Sequence, residues 1–130
     1  MFKAETNGII VNVMPVYIDE QSNPAASRYF WAYRVSIENH SADTVQLLSR
    51  YWRITDATGR IDEVRGDGVV GEQPVIAPGG EYTYTSGCPL TTPSGIMMGS
   101  YKMKKNSGKV FEVAIPAFSL DLPDQKPSLN

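Results

Sequence analysis

Along "RYFWAYRVSIEN", Tyr29, Trp31, Tyr33, Val35 and Ile37 share one face, while Arg34, Ser36 and Glu38 share the other. A period of two predicts a half-buried strand, because a helix would scatter the same side chains around its circumference. The aromatic and β-branched content favours the same outcome. "GIIVNVMPVYI" reads alike, except that Pro15 cannot donate to a ladder and so implies an edge position or a bulge. In "TVQLLSRYWRIT" the parity changes: Val45 and Leu47 share one face, and Leu48, Trp52 and Ile54 the other. That switch predicts a β-bulge between Leu48 and Arg50. "EYTYTS", "GIMMGSYKM" and "KVFEVAIPAF" complete the main strands, and a further strand can end at Val64 and Arg65.

Turn signals separate these runs: "DEQSNPAAS", "NHSAD", "DATGR", "APGGE", "CPLTTPSG" and "KNSGK", the last joining two strands as a hairpin. About seven short strands in roughly one hundred residues predict an all-β fold, an antiparallel two-sheet sandwich of immunoglobulin or fibronectin type III-like kind. A chain of 130 residues fits one domain, here residues 1–122. The tail "PDQKPSLN", residues 123–130, lacks an apolar pattern and is expected to be mobile.

Twelve basic and 14 acidic residues leave a net charge of −2, which argues against nucleic acid or an anionic membrane as partner. The densest basic cluster, Lys102, Lys104 and Lys105, reads as a solvated loop. In the amino-terminal segment "MFKAETNGIIVNVMPVYIDEQ" the apolar run Gly8–Val11 is far too short for a signal sequence or membrane span. Cys88 is the only cysteine, so no internal disulfide can form, and a reduced, cytoplasmic protein is expected.

"RGDGVVGEQP" places Gly66, Gly68 and Gly71 in the spacing of a dinucleotide-binding turn, but that motif needs a helix opening at its third glycine. Pro74 and Pro78 follow instead, each costing about 3 kcal/mol or more in a helix interior. The P-loop also fails, since Glu72 and Gln73 stand where lysine and a hydroxyl residue are required. A glycine loop can still present backbone N–H groups to an anion, with Arg65 beside it as a phosphate donor. Any such ligand is expected to bind weakly, because Asp67 and Glu72 oppose it.

No enzyme is expected. His40 sits in a turn near Ser41 and Asp43, but sequence neighbours rarely converge into a triad. Cys88 has no nearby base and reads as a small, partly buried apolar residue. One histidine and one cysteine cannot assemble a zinc site, and Asp62, Glu63, Asp67 and Glu72 do not make a dedicated magnesium site. Neither a metal nor a cofactor is expected.

Residues 45–103, with "RGDGVVGEQP" and "TSGCPLTTPSGIMMGSY" at their centre, resemble the ApaG family. "GIIVNVMPVYI" and "YFWAYRVSIENHS" extend the likeness over residues 7–122. The resemblance implies the sandwich fold, and a protein-interaction role such as the domain has in eukaryotic F-box and polymerase-associated proteins. It links bacterial members to diadenosine-polyphosphate metabolism and to cobalt or magnesium resistance. It also implies pyrophosphate binding at Gly66, Gly68 and Gly71.

The favoured reading is a noncatalytic interaction module that presents the loops 66–80 and 88–95 to a protein partner, with Val69, Val70, Val75 or Ile76 as an exposed apolar patch. The alternative is a binder of a pyrophosphate-containing nucleotide through Arg65, Gly66, Gly68 and Gly71. Unpaired edge strands leave assembly into a homodimer open.

Overall fold

The computed structural model describes residues 1–123, so all but the first residue of the expected tail lies outside the described residues. Nine strands follow in order: β1 (Phe2–Thr6), β2 (Ile9–Tyr17), β3 (Tyr29–Asn39), β4 (Val45–Asp56), β5 (Ile61–Asp67), β6 (Val75–Ile76), β7 (Glu81–Leu90), β8 (Gly95–Lys105) and β9 (Val110–Leu120). Two single turns of 3₁₀ helix, Asp19–Gln21 and Pro24–Ala26, lie between β2 and β3. One sheet runs β1-β2-β3-β7 and the other β5-β4-β8-β9, with β6 paired to β4. Every pairing is antiparallel, as a two-sheet sandwich requires.

The two strands beyond the expected number are short. β1 pairs with β2 across a two-residue turn, Asn7-Gly8, with both residues at positive φ (50° and 84°). Asn-Gly between alternating segments is a strong hairpin signal, and it identifies this strand in retrospect. β6 has only two residues and takes its pairing from β4, so it carries no periodic signature of its own.

Pro15 sits on β2 beyond the last β1 partner, Phe2↔Val13, where β2 is locally an edge strand. The β4–β8 register shifts between Leu47 and Ser49, which makes Leu48 the bulge residue. Beyond the shift Arg50, Trp52 and Ile54 take the inner face that Val45 and Leu47 occupy before it. Lys102 and Lys104, expected in a loop, are exposed on β8, and the turn between β8 and β9 is closed by Lys105 and Lys109.

The core lies between the sheets. Trp31, buried against Tyr17 and Tyr29, donates its Nε1–H to the Asp121 carbonyl at 2.9 Å. Tyr33, Trp52 and Phe118 form a second aromatic cluster across the sheets. Among the described residues no helix is long and apolar enough to cross a membrane.

Candidate functional site

The Leu48 bulge organises the glycine-rich segment after β5. The Leu48 carbonyl accepts from the Gly68 N–H at 2.8 Å and from Gln73 Nε2 at 2.9 Å, so both ends of the loop are tied to one residue. Arg50, turned inward by the bulge, lays its guanidinium against Gly66 and donates Nη1–H to the carbonyls of Asp67 (3.0 Å) and Gly68 (2.9 Å). A Cβ at Gly66 would stand 2.9 Å from the guanidinium nitrogens, so this glycine makes room for Arg50. Sequence reasoning missed Arg50; the only clue was the parity break beside it.

Gly68 has φ +61°, and a Cβ there would lie 2.2 Å from the Glu72 carbonyl oxygen. Val69 and Glu72 then exchange two backbone hydrogen bonds, at 2.8 and 2.9 Å, around the tip residues Val70 and Gly71. Both tip residues have positive φ (42° and 82°), the signature of a type I′ turn. Val69 is buried in the core and Ile76 nearly so, whereas Val70 and Val75 are 58% and 65% exposed. The apolar set named from the sequence is therefore split, two residues in and two out.

The backbone N–H groups of Gly68, Val69 and Glu72 are spent within the protein, which removes most of an anion-binding concavity. Arg65 turns to the outer face of β5, 4.6 Å above the Tyr51 ring and 3.8 Å from the Glu63 carboxylate. Its side chain is 71% exposed. A shallow groove of about 640 Å³ on that face collects Arg65 and Lys102, with Asp67 and Glu112 among them. The Glu72 carboxylate accepts from the Tyr82 hydroxyl at 2.9 Å and so ties the loop to β7.

The groups weighed for catalysis are engaged elsewhere. His40 Nε2 pairs with Glu38 at 2.9 Å, and this bond holds the Glu38 carboxyl below its ordinary value. The Ser41 hydroxyl donates to Asn39 Oδ1 at 2.6 Å. Cys88 is buried, and desolvation pushes its thiol up to about 11, which leaves it protonated at neutral pH. Asp62 and Glu63 are adjacent on β5 and point to opposite faces. Among the described residues, no three His, Cys, Asp or Glu side chains are grouped to hold a metal ion.

A protein-family model described as the ApaG domain matches residues 19–105. The chain is 58% identical to Protein ApaG of Brucella anthropi and 60% identical to Protein ApaG of Brucella suis biovar 1, over the full length of both partners in each case. Among solved structures, the ApaA protein from Bordetella pertussis superposes with a TM-score of 0.88 at 48% identity, covering 90% of this chain and 95% of that one.

Proposed function

The chain belongs to the ApaG domain family, and from that premise we propose that it is a noncatalytic interaction module whose rigid sandwich holds the loops 66–80 and 88–95 toward a protein partner. The observation that carries this reading is Val70. A β-branched residue at φ +42° is a backbone outlier, and its side chain is also left largely in water. Local stability would be better served by glycine or asparagine, so an exposed valine here supports a contact made outside this chain. Val75 adds a second exposed apolar side chain on the same loop. Links of the family to cobalt or magnesium resistance and to diadenosine-polyphosphate metabolism then run through the partner rather than through chemistry on this chain.

Arg65 and Lys102 beside the glycine loop favour a second reading, a binder of a pyrophosphate-containing nucleotide. Two experiments separate the readings. Affinity capture with mass spectrometry should recover a specific protein with the parent chain and lose it with Val70→Asp, while the melting temperature stays within a degree or two. Titration calorimetry with inorganic pyrophosphate, with and without Mg²⁺, should show only weak binding, of order millimolar. Micromolar binding that disappears in Arg65→Ala would replace the first reading by the second.

A further inference from the structure

Among the described residues four long strands form the edges of the two sheets, the two-residue β6 lying beyond β5 along the same side of β4. Three of the four are protected. The β5 edge carries Asp62, Glu63, Arg65 and Asp67 within seven residues, a charge density that discourages pairing. β1 and β9 lie against each other on the opposite side, where the Ala114 N–H of β9 donates to Thr6 Oγ1 of β1 at 3.1 Å. β7 is different. From Tyr82 to Cys88 it contains no charge, no proline and no register shift.

The free hydrogen-bonding groups of β7 can be assigned from its neighbour. On its β2 side the Phe30 carbonyl accepts from the Ile18 N–H and the Phe30 N–H donates to Ser22 Oγ, whereas the Asn39 N–H donates to the Gly80 carbonyl on the β7 side. Odd-numbered residues of β3 therefore face β7, and with the observed register they meet even-numbered residues of β7. The N–H groups of Glu81, Thr83, Thr85 and Gly87 consequently point away from the sheet, and none meets a protein acceptor among the described residues. At the C-terminal end of this edge lies a cleft of about 440 Å³ between the two sheets, walled by Tyr29, Ile54, Pro89 and Leu90, with both basic (Arg28, Arg60) and acidic (Asp56, Asp62) residues around it. A residue added opposite Leu90 would send its side chain into that cleft.

We propose that β7 is a strand-addition site for an extended segment of another protein, running antiparallel to β7 with one large apolar side chain anchored in the cleft beside Leu90. This rests on the interaction reading above and names its binding element: β7 is the strand bracketed by the loops 66–80 and 88–95. A second copy of the chain fits less well. Two registers satisfy all four outward N–H groups on both copies, and they set Pro78 or Gly80 opposite Leu90. The backbone turns there, with Gly79 at φ +80°, so no side chain would fill the cleft.

The test uses a phage-displayed library of random nonapeptides panned against the full chain. The expected result is an enriched family with one fixed large apolar position followed by alternating strand-forming residues. Synthetic peptides of that family should lose about tenfold or more in affinity for Thr83→Pro and Thr85→Pro. Each of these substitutions removes an outward N–H without touching the β3 ladder, so the melting temperature should hold. Independently of the variants, the amides of Thr83, Thr85 and Gly87 in the parent chain should gain hydrogen-exchange protection when peptide is added. The proposal fails if no family is enriched, or if binding survives both prolines without new protection on β7. It also fails if the parent chain sediments as a dimer that Thr85→Pro dissociates. Peptides that ignore both prolines but are lost with Val70→Asp would sink the β7 site and leave the interaction reading standing.

Discussion

Asn39 is the one buried polar side chain in the core of the described residues, and all of its hydrogen-bonding capacity is used. Its Nδ2 donates to the carbonyls of Asp43 (2.8 Å) and Ile76 (2.9 Å), while Oδ1 accepts from the N–H and hydroxyl of Ser41 (2.9 and 2.6 Å). One side chain thus joins the turn after β3 to β6. Asn39→Ala should cost about 2–4 kcal/mol in urea unfolding, because it strands several groups at once. Asn39→Asp should be no better, since a carboxylate cannot donate to two carbonyls; a parent-like midpoint for either variant would contradict this assignment. The glycines make a graded case. Gly68→Ala should destabilise by about 3 kcal/mol or more, because a Cβ collides with the Glu72 carbonyl, whereas Gly71→Ala meets open space and pays only the left-handed backbone, about 1–2 kcal/mol. Equal melting temperatures for the two would refute the ranking. The spacing of the glycines showed that a turn needed them, but the collision depends on where Glu72 returns, which no local pattern encodes.

At the scale of elements, alternation made β2, β3, β7, β8 and β9 legible, because each buries one face and exposes the other. β5 was only half visible: all of its residues but Gly66 are exposed, so its sequence alternates with nothing. β4 shows most clearly what parity can and cannot reveal. Its break at Leu48 announced a bulge, yet not that the bulge would carry Arg50 under the glycine loop and give Leu48 two donors from it. From this arrangement Arg50→Ala should lower stability by about 2–3 kcal/mol, the loss of two hydrogen bonds from a charged donor. Amide exchange at Gly68 and Glu72 should rise in parallel. Arg50→Lys should recover only part of either effect, because an ammonium lacks the planar fork that lies against Gly66. Unchanged exchange in Arg50→Ala would mean that the loop is held by Leu48 alone.

At the scale of the whole molecule, the two sheets meet mainly through apolar side chains. Besides the Asn39–Ile76 hydrogen bond, the Tyr84 hydroxyl from β7 bonds the Tyr101 hydroxyl from β8 in the interior. Tyr33 from β3 is buried near this pair, and burial raises all three phenols above their ordinary value of 10.0. The consequence has a definite sign. The native state disfavours the phenolate, so the unfolded chain releases these protons first as pH rises past about 10. Above that point the unfolded state binds fewer protons than the native state, and unfolding becomes progressively easier. The contribution of the phenols is complete below pH 10 and is lost as pH climbs toward their raised native values. Each fully shifted tyrosine adds a slope approaching about 1.4 kcal/mol per pH unit, so the set makes the sandwich steeply sensitive to alkali. Urea midpoints measured from pH 8 to 11.5 should be flat at first and then fall. The double variant Tyr84→Phe, Tyr101→Phe, which removes both hydroxyls of the pair together and leaves neither stranded, should flatten most of that fall while changing stability little at pH 8. A parent protein whose midpoint holds level to pH 11.5 would show that the phenols ionise as readily in the native state as in the unfolded one, and that water reaches the space between the sheets.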